Sequence, residues 1–167
     1  MRPLIIDVEA SGFGRGSYPI EVGVALADGQ SQCSIIRRET DWQHWDPKAE
    51  LMHGISRETL DQYGRDAVGV ATMFNDLLAG EVVYSDAWGN DSSWLGLLYD
   101  TANLPQRFRL ESLRTLLSDA QLEIWHETKE QVIVEWGFER HRASNDALIL
   151  QQTYYQTAAI LGQQQAC

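Results

Sequence analysis

The stretch Leu4-Ile5-Ile6-Asp7-Val8-Glu9-Ala10-Ser11-Gly12-Phe13 decides how the chain is read. Residues 4–8 form a short apolar run that suits a buried strand. Side chains alternate along a strand, so Asp7 and Glu9 share one face and Val8 takes the other. Two carboxylates side by side at the end of a buried strand repel each other unless something positive lies between them. Hard cations such as Mg²⁺ and Mn²⁺ take oxygen ligands and are the usual answer. The alternative is a half-exposed strand with a solvated acidic face. The turn that follows, Ala10-Ser11-Gly12-Phe13, is small and polar and lets a ligand approach the backbone closely. Phe13 lies in a glycine-rich stretch, either partly exposed or folded back into the core.

Outward from this strand, residues 19–26 alternate apolar with polar or small side chains. Asp28-Gly29 then signals a hairpin, with residues 32–37 returning. Three strands, antiparallel, are therefore expected first. Helical signals follow: a short helix capped by Ser56 through Tyr63, a stronger one over 66–78 closed by Gly80, then a fourth strand at 81–85. Helices are predicted over 91–101, 112–117, 121–136 and 143–161, although Val132-Ile133-Val134 also reads as a strand. Ala143, Ala147, Leu150, Tyr154, Ala158 and Leu161 recur at three- and four-residue steps and give the last helix one apolar face. Strands followed by helices around a further strand imply an α/β architecture, a mixed sheet with helices packed on it.

The chain has 167 residues, 44% of them hydrophobic, with six Trp expected mostly in the core. One domain over residues 1–162 with a tail at 163–167 is expected, since domains hold roughly 100–200 residues. No apolar run approaches the roughly 18–20 residues of a membrane span, so no membrane partner is expected. The N-terminus does not read as a secretory signal. Cys33 and Cys167 form neither a metal-ligand spacing nor a disulfide framework, which fits a reducing, cytoplasmic setting. The net charge of −11 argues against a broad basic grip on nucleic acid, although bound divalent cations would add positive charge that this count omits.

A second cluster lies at His141-Arg142-Ala143-Ser144-Asn145-Asp146-Ala147. Asp146 starts the last helix beside its apolar face, where an unpaired carboxylate is costly. Five residues along a continuous helix are about 140° out of phase, so His141 converges with Asp146 only from the approach to the helix. The alternative is a dipole-stabilised helix-start acid beside a surface histidine.

Together, Asp-x-Glu on the first strand, a middle Asp, and His-x4-Asp near the C-terminus resemble the DEDD exonucleases of the DnaQ-like group. The spacing is that of the His-bearing subgroup, which includes polymerase proofreading subunits, RNase T and oligoribonuclease. Met52-His53-Gly54-Ile55 and Glu21-Val22-Gly23-Val24 match further segments of that group, and Val82-Val83-Tyr84-Ser85 precedes the middle Asp. That Asp is identified as Asp91, because Asp91-Ser92-Ser93-Trp94-Leu95 matches the latter half of the family stretch. The family's His-Asn pair is replaced by Ser85-Asp86, which makes Asp86 the runner-up. Ala10 stands where the family often has a hydroxyl residue.

The resemblance implies a ribonuclease H-like fold with a mixed five-stranded sheet flanked by helices. It implies 3′→5′ exonuclease action on the 3′ end of single-stranded DNA or RNA, releasing 5′ mononucleotides. Asp7, Glu9, Asp91 and Asp146 would bind two Mg²⁺ or Mn²⁺ ions, with His141 as general base. Ala10, Ser11, Gly12, Phe13, His53 and Arg142 would contact substrate, and relatives suggest a homodimer. An endonuclease on the same fold, or a non-catalytic binding module that kept the fold, is the competing reading.

Overall fold

Strand β1, Leu4–Ala10, lies at the centre of a five-stranded sheet ordered β3-β2-β1-β4-β5 in the computed structural model, which describes residues 2–164. Its partner β2, Pro19–Ala25, is buried along its whole length. It runs antiparallel to β1 and to β3, Ser31–Ile35. On the other side, β4 (Val82–Ser85) and β5 (Arg109–Ser112) run parallel to β1. The sheet is thus mixed, as the sequence predicts. The fifth strand is β5, however, and not Val132-Ile133-Val134, which lies inside a helix.

The alternation of β1 sorts two layers. Ile6, Val8 and Ala10 join a core with Leu60, Val70, Phe74 and Leu98. Those partners come from α2 (Arg57–Tyr63), α3 (Ala67–Leu78) and α4 (Trp88–Ala102). Ile5 faces the other layer and packs with Ala147 and Leu150 of α6, Ala143–Gln164. Helix α5, Asp119–Trp136, begins with a capping box between Ser118 and Gln121 and packs on α6. Asp7 and Glu9, in step with Ile5, therefore face the α6 side.

Two local devices set this geometry. Gly23, the register partner of Asp7, has no room for a side chain: a Cβ there would stand 2.2 Å from the Ser144 backbone nitrogen. The glycine lets the first turn of α6 rest on the sheet beside Asp7. A bulge between Glu9 and Ala10 then breaks the β1–β2 register, where such irregularities re-aim a strand end.

Several expectations shift. A helix α1, Pro47–His53, was not foreseen; Asp46 caps it and Pro47 opens it. Helix α4 begins at Trp88, three residues before the expected Asp91, and residues 112–117 hold only a short 3₁₀ turn, Leu113–Thr115. Trp42 and Trp94 are buried, but Trp88 and Trp136 are half exposed, so the tryptophans are less uniformly core than expected. Helix α6 continues through Gln164, into the expected tail; residues 165–167 of that tail lie outside the described residues. Among the described residues, no helix is long and apolar enough to cross a membrane.

Candidate active site

The C-terminal ends of the parallel strands β1 and β4 open into a cleft of about 270 Å³. Asp7 and Glu9 of β1, Asp91 of α4, and His141 and Asp146 at the start of α6 all line it. Three segments far apart in sequence thus bring the five predicted groups together. Glu9, His141 and Asp146 each offer a ligand atom within 4.8 Å of the others.

The approach to α6 solves the phase problem posed by a five-residue spacing. His141 stands two residues before the helix in a left-handed conformation, φ 63°. Its backbone N–H donates to Asp146 Oδ2 at 3.0 Å. The same αL turn that brings the His141 backbone to the carboxylate leaves its ring beside Glu9.

These carboxylates are held against their own chemistry. Burial, followed by the charges of Asp91, Glu9, Asp146 and Asp86, raises the pKa of Asp7 well above the ordinary range. Burial and then Asp146 push Glu9 up to about 7. Asp91 also rises to about 7, chiefly through burial. Asp146 is raised by burial against the opposing pull of the His141 amide. Such a cluster either keeps protons or awaits a cation, and its all-oxygen donor set suits a hard divalent ion.

The two candidates for the middle acid differ in position. Asp91 is almost wholly buried, and the Ser85 hydroxyl, at the end of β4, donates to its Oδ2. Asp86 also lines the cleft but is exposed, 3.6 Å from Lys129 Nζ.

The remaining expected contacts divide. Ala10, Gly12 and Phe13 line the cleft, and the Phe13 ring is 70% exposed, 5.9 Å from the Trp94 ring. Gly12 is required, with φ 141° and Asp46 Cβ only 2.7 Å from where a side chain would begin. Ser11 turns the other way: its hydroxyl is fully buried, shares a 3.0 Å hydrogen bond with His44 Nδ1 and accepts from the Tyr18 amide. Its side chain braces the turn instead of facing a ligand.

His53, at the end of α1, is buried in the cleft wall. Its Nδ1 accepts from the Ile55 amide at 3.1 Å, and Nε2 finds no partner among the described residues. Burial lowers its pKa and favours the neutral ring, and because Nδ1 accepts, the proton sits on Nε2. Arg142 departs from the expected phosphate contact. Its guanidinium is taken up by buried Glu21, with Nη2 2.7 Å from Oε1, and it does not line the cleft.

Sequence reasoning gave no role to Lys129 or Arg140, which among the described residues bring positive charge to the cleft besides any contribution from His141. Arg140 adjoins His141, and that adjacency is its sequence signal. Lys129 lies mid-helix and carries no local signal.

No family model and no curated protein sequence matches the chain. Solved structures do. A crystal structure of E. coli exonuclease I with a 5cy-dA13 oligonucleotide superposes with TM-score 0.62 at 12% identity, over 90% of this chain and 39% of that one. The zinc-bound form of the E. coli exonuclease I–ssDNA complex gives 0.64 at 11% identity, over 92% and 40%. Exonuclease I from Methylocaldum szegediense gives 0.57 at 12%, over 77% and 30%. The chain therefore spans about two fifths or less of the exonuclease I chains it matches. At this identity the likeness establishes architecture: the chain has the ribonuclease H-like α/β fold that those exonucleases share.

Proposed function

We propose that this chain is a metal-dependent 3′→5′ exonuclease that acts on single-stranded DNA or RNA and releases 5′ mononucleotides. The observation that carries it is the convergence of Asp7, Glu9, Asp91, Asp146 and His141 on one cleft with carboxylate pKa values pushed upward. The exonuclease I structures of like fold, solved with single-stranded oligonucleotides or bound zinc, support the same reading.

Asp7, Glu9, Asp91 and Asp146 would hold two Mg²⁺ or Mn²⁺ ions, whose positive charge relieves the mutual repulsion of the acids. Bound there, the ions supply activation of the attacking water and charge stabilisation at the leaving 3′ oxygen. The chain's own residues do the rest. The His141 ring takes the proton of the attacking water, held in place by its backbone bond to Asp146. The Nε2–H of His53, which has no well-formed hydrogen bond and only the Ala10 backbone nearby, offers a donor to a substrate oxygen. Phe13 offers a ring face for a base to stack on. The backbone of the Ala10–Gly12 turn approaches the terminal sugar.

The experiment is hydrolysis of matched end-labelled DNA and RNA single strands with Mn²⁺ or Mg²⁺. Mononucleotide release that stops with EDTA, and falls on the order of 10²–10⁴-fold in kcat for His141→Ala, supports the proposal. Release that persists after exhaustive chelation contradicts it.

A further inference from the structure

We propose that Lys129 and Arg140 form a two-point phosphate clamp on the α5–α6 wall of the cleft, and that this clamp limits the grip on a single strand to about its last two or three nucleotides. The inference rests on the exonuclease reading and adds to it the length of strand that is recognised.

The chain carries 13 Lys and Arg against 24 Asp and Glu. Of these cations, Lys129 and Arg140 line the cleft among the described residues. Others are committed elsewhere: Arg38 to Asp61, Arg109 to Glu111, Arg142 to Glu21. A polyanion entering the cleft therefore meets two positive side chains set in a strongly acidic protein.

Both are loosely held where they stand. Lys129 Nζ is 3.6 Å from Asp86 Oδ2, and Arg140 Nε is 3.9 Å from Asp146 Oδ1. The committed pairs of Arg38 and Arg142 close to 2.7 Å. An ammonium has three donors and a guanidinium five, so each retains donors for a phosphate oxygen. The carboxylates keep the two side chains over the cleft in the free protein. A divalent ion held by Asp146 would compete with Arg140 for that carboxylate and would leave the guanidinium free for phosphate.

Each phosphate contacted on a single strand adds about −0.7 to the slope of log affinity against log salt, so two contacts predict about −1.4. A longer basic track would give a steeper slope and an affinity that grows with strand length.

The test reads binding separately from turnover. Fluorescence anisotropy with 5′-fluorescein tetranucleotides and hexadecanucleotides is measured in Ca²⁺, which takes the same oxygen ligands, over about 50–200 mM salt. The two lengths should bind alike, within about threefold, with a slope near −1.4. Lys129→Ala and Arg140→Ala should each weaken binding about tenfold and bring the slope to about −0.7. Arg109→Ala, outside the cleft, should change neither. A slope of about −3 or steeper, affinity that rises steadily with length, no binding at all, or a Lys129→Ala protein with unchanged affinity and slope overturns the clamp. Hydrolysis in Mn²⁺ is scored independently: clamp-dependent binding without hydrolysis overturns the exonuclease reading alone, and hydrolysis without clamp-dependent binding overturns the clamp alone.

Discussion

Arg142 grips the fully buried carboxylate of Glu21, with Nε 3.2 Å from both oxygens and Nη2 2.7 Å from Oε1. The Ala143 amide donates to the same carboxylate at 2.9 Å. Glu21 faces Glu9 across β1 and β2, so one buried acid ties the start of α6 to β2, the neighbour of the strand that carries the first acids of the site. Removing the guanidinium leaves a buried charge unpaired. Breaking such a pair costs about 3–5 kcal/mol, and water reaching the 40%-exposed Arg142 side chain places this one near 3. Arg142→Ala should therefore lower Tm by roughly 6–12 °C by calorimetry, at about 2–4 °C per kcal/mol for a chain of this size. A shift below about 2 °C would show that the pair does not hold α6.

The carboxylate cluster makes a prediction about pH. Asp7, Glu9, Asp91 and Asp146 all have folded-state pKa values above their unfolded ones, with Glu9 and Asp91 at about 7. The folded protein then binds more protons than the unfolded chain between about pH 4 and 7, and stability falls as pH rises through that window. Metal-free protein should melt higher at pH 5 than at pH 8. Mn²⁺ should raise Tm more at pH 8, where it displaces fewer protons. A metal-free Tm that climbs from pH 5 to pH 8 would contradict the cluster's charge state.

We assign the middle acid to Asp91 and not to Asp86. Asp91 is buried and accepts from Ser85, whereas Asp86 faces solvent beside Lys129. Asp91→Asn should cut activity by more than the roughly 10–100-fold that losing even an outer partner of a metal ligand costs. Asp86→Asn should cost less than about tenfold by the same comparison. The reverse order in kcat would exchange their roles.

Phe13 separates a substrate ring from a core ring. Base stacking is worth about 1–3 kcal/mol, so Phe13→Ala should raise KM roughly 5- to 150-fold on single strands. Its ring is 70% exposed, so Tm should change little. A loss of the about 3–5 kcal/mol typical of a buried Phe, with KM unaltered, would return it to the core.

The parts legible in sequence were those whose signal is local. The i, i+2 spacing placed Asp7 and Glu9 on one face of β1, and the 141–146 spacing required His141 to lie before α6, where an αL residue indeed stands. The β5 sequence Arg109-Leu110-Glu111-Ser112 is too short and polar to announce a strand; pairing with β4 creates it. Val132-Ile133-Val134 has strand-like composition, but the Ser118 cap and packing of Val132 keep it helical while Val134 stays exposed. Arg142 read as a phosphate contact because its neighbour is His141; its partner Glu21 lies 121 residues away, a pairing only the fold brings about.

The decisive measurement is the polarity of cleavage on a single strand. A linear 5′-labelled strand, the same strand with a 3′ phosphate, and a circular strand of the same sequence are incubated with the protein and Mn²⁺. A 3′→5′ exonuclease gives a ladder shortening one nucleotide at a time from the free 3′ end, strong slowing by the 3′ phosphate, and an intact circle. Efficient cutting of the circle, or shortening that begins at the 5′ end, would contradict it.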